Sequence, residues 1–276
     1  MRNYSLVESC LFLPANLNKR KLRDHLNGKS ILITGASSGI GAQLALQLAT
    51  INCHLILIAR SGDKLVEIKN EIERKAANVT IFQADLRNEA EMEELLKNLH
   101  ALPDGLDIVV SNAGLSINRS IYDSLDRYHD FTRTMAINYF APVQLLLSTI
   151  PILEKNQGHI INISTINALL APLPYFAAYQ ASKTAFDVWL RSISPELKRA
   201  GIATTSLYLP LVKTPMIQPT AAYHNMPAMS PEHVTRVICK SMYTHRKKYQ
   251  PWWLLFGQLA SVFLRSLGGI SPDRRK

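Results

Sequence analysis

An apolar run, Ser30-Ile31-Leu32-Ile33-Thr34, passes without a spacer into Gly35-Ala36-Ser37-Ser38-Gly39-Ile40-Gly41, and a helical pattern through Leu44, Ala45 and Leu48 follows at once. Glycines at 35, 39 and 41 allow a tight turn from strand to helix and let the backbone approach a pyrophosphate. The helix start then offers free N–H groups and the positive end of its dipole. A strand directly before such a turn and a helix directly after it is the setting of a dinucleotide site.

The rest of the chain repeats the alternation. Strand-like runs at 54–59, 79–82, 106–110, 159–163 and 203–209 are separated by helical patterns at about 64–75, 89–99, around Met135, Ile137 and Val143, and at 179–199. Short, fully apolar strands between helices predict a parallel sheet covered on both faces. No Gly/Pro/Ser-rich linker and no internal repeat divides the chain. The expectation is one doubly wound α/β domain of about seven strands over residues 28–245. A substrate lid is expected near 214–232, a basic extension over 1–27 and a basic, aromatic appendage over 246–276.

With 276 residues, 47% of them hydrophobic and 19% charged, the chain can bury a large core, which excludes a disulfide mini-protein and a disordered acidic chain. Cys10, Cys53 and Cys239 are far apart and form no metal-binding spacing, so no metal is expected. The net charge of +10 sits at the ends: +4 over residues 1–30, +6 over 243–276, and none between. A neutral body with basic ends argues against a nucleic-acid groove. It fits either solvated tails or ends that meet an anionic surface such as lipid. The apolar run Cys10–Leu13 stops at Pro14, so no secretory signal is visible and a cytoplasmic location is expected.

The end of the second strand selects the cofactor. An acid there would hold the ribose hydroxyls of NAD, whereas an arginine accommodates a 2′-phosphate. Arg60 followed by Ser61, with no acid before Asp63, favours NADP(H). Further on, Tyr179-Gln-Ala-Ser-Lys183 puts a phenol and an ammonium at i and i+4 on one helical face. A nearby ammonium favours phenolate, so the pair makes sense as a general acid/base unit.

Taken together, these motifs resemble the short-chain dehydrogenase/reductases over roughly residues 28–240. The residues that carry the likeness are the glycine turn 34–41, Asp85-Leu86, Asn112-Ala113-Gly114, Asn138, Ser164-Thr165, Tyr179-x-x-x-Lys183 and Pro210-x-x-x-Thr214. The resemblance implies a Rossmann-like fold and a homo-oligomer. It implies that Gly35, Ser37, Ser38, Gly39, Ile40 and Gly41 hold the pyrophosphate, that Asp85 and Leu86 meet the adenine, and that Asn112, Ala113 and Gly114 wall the adenosine. Tyr179 would give its proton to the substrate oxygen, Lys183 would hold the ribose and depress the Tyr179 pKa, and Asn138 would anchor a linking water. Pro210, Leu211, Val212 and Thr214 would cover the carboxamide end.

One departure stands out. The family's carbonyl-polarising serine lies thirteen residues before the tyrosine, where this chain has Ile166, and Thr165 lies fourteen before. A one-residue insertion near Leu170–Pro174 would return the role to Thr165, or to Ser164.

The stretches 116–138 and 210–232 are similar to the reductase domain of bacterial fatty acyl-CoA reductases, which implies NADPH-dependent reduction of a long-chain acyl thioester to the aldehyde. Met216, Ile217, Tyr223, Met226 and Met229 would give the lid an adaptable apolar lining for a lipid-like carbonyl substrate. Arg119 and Arg127 are open to two readings, contact with a coenzyme A phosphate or solvated surface. A helix over 252–267, stopped by Gly268-Gly269, would span about 24 Å, too short to cross a bilayer. Its Trp252-Trp253 beside Arg246-Lys247-Lys248 fits either a peripheral membrane anchor or packing against the lid or a second subunit. Two other functions fit the sequence: an alcohol/ketone dehydrogenase on steroid-like or polyketide substrates, and an NADP(H)-sensing protein that has lost catalysis.

Overall fold

The computed structural model describes residues 4–218, 220, 223 and 225–267, with side chains to residue 260. In chain order the helices are α1 (Leu6–Leu11), α2 (Lys19–Leu26), α3 (Gly39–Leu48), α4 (Gly62–Ile72), α5 (Glu89–His100), α6 (Tyr128–Met135), α7 (Ala141–Lys155), α8 (Ala177–Arg199), α9 (Pro231–Thr244) and α10 (Leu254–Leu267). The strands are β1 (Ser30–Thr34), β2 (His54–Ala59), β3 (Asn78–Gln83), β4 (Ile108–Ser111), β5 (His159–Thr165), β6 (Ala203–Leu209) and β7 (Lys248–Tyr249). They form one parallel sheet in the order β3-β2-β1-β4-β5-β6-β7.

Strand order reverses between β1 and β4. The loops that leave these two strands diverge to opposite faces, which opens a crevice at the carboxyl edge of the sheet. The apolar runs earn their burial by alternation. Ile31, Ile33, Leu55 and Leu57 face a core completed by α3, α4 and α9, while Leu32, Ile56, Ile58 and Ile160 face a second one completed by α5, α7 and α8. Both faces are dry, so every residue of β1, β4 and β5 is buried.

α6 runs through a π-helical turn, Ala136–Phe140, into α7. The continuous helix 128–155 is long and apolar enough to cross a membrane by length and composition, but here it lies against α5 and α8 with Leu145, Leu146 and Leu153 buried.

Among the described residues, the segments near both ends of the chain pack against the body. Asn18 caps α2, whose Leu22 and Leu26 enter the first core beside α9. A fully buried leucine contributes about 2 kcal/mol, so α2 is held by its apolar stripe while its bases face water. α1 opens on a reciprocal capping box, Ser5 with Glu8. α10 begins at Leu254, two residues later than the sequence suggests. Its expected stop at Gly268-Gly269 lies outside the described residues, as do the bases Arg274, Arg275 and Lys276.

Cys53 and Cys239 are buried, their thiols pushed up to about 12 by desolvation, and Cys10 is exposed and free. Among the described residues no cluster could hold a metal ion. Arg119 belongs to the structure of the α6 region: with Arg133 it pairs with Asp130, a buried residue of α6. Arg127 lies against Asp126 at the surface.

Candidate active site

The crevice is shaped first by its floor. The Thr34 hydroxyl accepts the N–H groups of Asn112 and Ala113, both at 2.9 Å, and the Asn112 amide donates to the Thr34 carbonyl at 2.8 Å. These bonds hold the ends of β1 and β4 together across the switch point. Gly35 takes φ +66° and Gly39 φ +56°, which side chains rarely adopt. A Cβ on Gly41 would sit 2.3 Å from the Gly35 carbonyl oxygen, and one on Gly39 would meet Thr214 at 3.1 Å. Ser37 and Ile40 are half-buried in the same turn. Ser38 makes no side-chain cap to α3, so the N–H groups of the first turn stay available. A bare turn with an uncapped helix start behind it fits a dinucleotide pyrophosphate.

On the other side of the crevice stand the groups able to move a proton. β5 ends at Thr165, and α8 presents Tyr179 and Lys183 one turn apart. Thr165 hydrogen-bonds the Tyr179 phenol, which lowers the phenol pKa, but burial outweighs that bond and pushes it up to about 12. Lys183 is buried and brought down to about 8 by desolvation. Its ammonium donates to the Ile163 carbonyl at 3.2 Å. Asn138, inside the π-helical turn, accepts from the Leu115 N–H at 2.9 Å and donates to the Leu115 carbonyl and to Ser182. Gly114 makes the approach possible, because a Cβ there would lie 3.0 Å from the Asn138 oxygen and 3.4 Å from the Lys183 nitrogen. A π-turn at such a place is a common mark of function.

A family model for short chain dehydrogenases matches residues 29–224. A fatty acyl-CoA reductase of Acinetobacter baylyi is 41% identical over 252 residues, which is 91% of this chain and 83% of that protein. A fatty acyl-CoA reductase of Mycobacterium tuberculosis is 40% identical over 206 residues, covering 74% of this chain and 70% of its own length. The chain belongs to the short-chain dehydrogenase family. It is an oxidoreductase of that family. Among solved structures, a short-chain dehydrogenase of Sphingobium yanoikuyae in complex with NADPH superposes with a TM-score of 0.76 at 21% identity, over 90% of this chain and 98% of that one, which shows the shared fold.

Within this short-chain dehydrogenase, Ser164 and Thr165 part company. Ser164 pairs in register with Tyr208, whose hydroxyl bonds Asp187 of α8, and the Ser164 hydroxyl is buried with no hydrogen-bond partner. Thr165 alone meets Tyr179. The extra residue between Thr165 and Tyr179 is taken up in the loop 166–176, where Tyr175 takes φ +68°.

The residues expected at the cofactor's edges are placed as follows. Arg60 is exposed at the end of β2, and its charge helps hold the Asp85 carboxyl below its usual range. The main cause of that lowering is Arg87, whose guanidinium grips Asp85 at 2.6 Å, so Asp85 is an ion-pair partner here. Leu86 is buried. Across the crevice, Pro210 follows β6, and Val212 pairs with Met229 as an isolated bridge that closes the loop between them. That loop frames a cavity of about 340 Å³ lined by residues that include Thr214, Ile217, Tyr223 and Met226. Met229 is fully buried in the core, and Met216 is exposed.

Two residues at this site escaped the sequence reading. Ser182 bonds Asn138, but the two are 44 positions apart and only the fold joins them. Gln180 sits between Tyr179 and Lys183. Its amide donates to the Asn167, Leu170 and Ala171 carbonyls and accepts the Leu173 N–H, which pins the lengthened loop. A polar residue inside the Tyr-x-x-x-Lys spacing, on the face opposite solvent, was the available signal.

Proposed function

We propose that this oxidoreductase uses NADP(H) to reduce the carbonyl of a long-chain fatty acyl thioester, giving the aldehyde and a free thiol, with lipid aldehydes and ketones as the wider substrate class. The observation that carries the reading is the Tyr179 phenol held by Thr165, one helical turn before buried Lys183, across the crevice from an uncapped glycine turn. The likeness to fatty acyl-CoA reductases supports the substrate, and the cavity with Ile217 and Met226 supports an apolar chain. Arg60, with no acid at the end of β2, supports a 2′-phosphate.

The nicotinamide supplies the hydride. Gly35, Ser37, Ser38, Gly39, Ile40 and Gly41 would bind the pyrophosphate, Asn112, Ala113 and Gly114 the adenosine, and Pro210, Val212 and Thr214 the carboxamide end. Thr165 and Tyr179 then place two hydroxyls on the substrate oxygen. As the carbonyl carbon accepts hydride, the oxygen takes the Tyr179 proton. Collapse of the hemithioacetal breaks the C–S bond, returns that proton to Tyr179 and releases thiolate, which is protonated by solvent. Burial that keeps the Tyr179 phenol protonated suits a proton donor. Lys183 would hold the ribose and keep positive charge near the phenolate. In this reading the catalytic domain runs over 28–245 with its lid near 214–232. The exposed Leu255, Phe256 and Leu259 of α10 would touch a lipid surface peripherally.

Replacing Tyr179 by phenylalanine tests the chemistry. Loss of the proton donor should lower kcat by roughly 10²–10⁴-fold, with NADPH binding measured by fluorescence still intact. Full turnover by Tyr179→Phe would overturn the mechanism.

A further inference from the structure

The N-terminal helix α1 holds both ends of the lid. Glu8, buried on α1, accepts the Lys213 ammonium at 2.6 Å and the Ala228 N–H at 3.2 Å with the same oxygen. Its other oxygen takes the Ser5 N–H at 3.1 Å, which fixes the carboxylate in the capping box. Lys213 is the last residue before Thr214, and Ala228 the last before Met229, so one carboxylate joins the entry and the exit of the loop. The main-chain closure lies directly inside it: Lys213 N–H to Met229 O at 2.9 Å, and Met229 N–H to Leu211 O at 2.8 Å. Tyr4 adds a third tie, its hydroxyl accepting the Ser230 N–H at 2.9 Å.

The far end of α1 is fastened as well. The Trp252 and Trp253 indoles donate to the Cys10 and Leu11 carbonyls. One turn on in α10, Gln258 donates to the Leu169 carbonyl, in the loop that separates Thr165 from Tyr179. The two sides of the crevice are therefore braced by one strap. Lys213 and Ala228 both line the 340 Å³ cavity, and Thr214 is packed on the glycine turn, so the width of the cavity depends on where these ends are held.

We propose that Glu8 is a positioning residue that sets the width of the acyl pocket by clasping Lys213 and Ala228 across the two ends of the lid. The inference rests on the lipid-carbonyl reading of that pocket. Glu8 touches no reacting atom. Its work is to keep the lid ends together.

The experiment compares wild type, Glu8→Gln, Lys213→Gln and the double variant on palmitoyl-CoA and butyryl-CoA. It also follows amide hydrogen exchange of the segment 226–232 without substrate. Glu8→Gln keeps an oxygen for Ala228 but loses the charge, so the protein should fold. The clasp predicts a five- to twentyfold rise in KM for palmitoyl-CoA, less than a twofold rise for butyryl-CoA, and an effect on KM rather than kcat. Exchange at Ala228 should speed up tenfold, and the double variant should be no worse than the worse single one. Equal losses on both chain lengths, or unchanged exchange at Ala228, would overturn it. If wild type reduces only ketones, the thioester reading fails, while the exchange measurement still decides whether Glu8 holds the lid.

Discussion

Thr165 shows how one residue can be placed by the end of a strand. Along β5, side chains alternate between the two faces of the sheet, and Thr165 is the strand's last residue. Ser164 shares the side of Tyr208, and Thr165 meets Tyr179. A threonine there keeps the hydroxyl donor and adds a methyl group. Thr165→Ser should retain most activity. Thr165→Val should lower kcat by roughly 10²-fold, as loss of a donor to the developing oxyanion does, and Ser164→Ala should change it little. Steady-state kinetics on the three variants decides the matter, and a larger loss from Ser164→Ala would move the role to Ser164. The sequence left the two residues open because spacing from Tyr179 was its ruler, and the loop 166–176 contains one residue more than that ruler allows. Tyr179, Lys183 and Gly41 were legible because each lies in a short local motif. Glu8, Ser182 and the Arg87 grip on Asp85 were not, since only tertiary contact gives them partners.

At the scale of elements, six of the seven strands were legible, while the two-residue edge strand β7 and the packing of the chain's ends were not. Uninterrupted apolar runs such as 30–34 and 159–163 admit one reading, a strand covered on both faces. α2 carries its apolar residues at Leu22 and Leu26 among four Lys and Arg residues, and charge hid the stripe. Where α2, the corner after α9 and the start of β5 meet, three imidazoles pack edge to face. His245 lies 4.8 Å from His159 and 5.4 Å from His25, with Lys29 and Asp107 nearby. Burial, reinforced by the two other histidines, brings His159 down to about 3. A histidine kept neutral by folding contributes fully above its unfolded value of 6.5, and that contribution is lost as pH falls below it. Between pH 8 and pH 5 the loss from this one group is about 2 kcal/mol. Urea midpoints at the two pH values should therefore fall further in wild type than in His159→Gln, and parallel changes would contradict the assignment.

Across the whole molecule, the division of labour follows from the sheet. Its reversed order between β1 and β4 opens one crevice, glycines bare one wall of it, and α8 arms the other. Net charge of +10 is carried outside this centre. The segments near the chain's ends do more than extend from it: α1, α10 and the lid are tied together by Glu8, Trp252 and Trp253 into a frame around the cavity. A frame of this kind is consistent with a long, featureless chain as substrate, because such a chain offers the enzyme little to recognise beyond length and width. The most direct measurement is NADPH oxidation by the purified protein with palmitoyl-CoA, following free thiol in the same cuvette and running NADH in parallel. Thiol should be released in step with NADPH consumed, with aldehyde as product and a clear preference over NADH. NADPH consumption with a simple ketone and none with the thioester, or equal rates with NADH, would contradict NADPH-dependent thioester reduction.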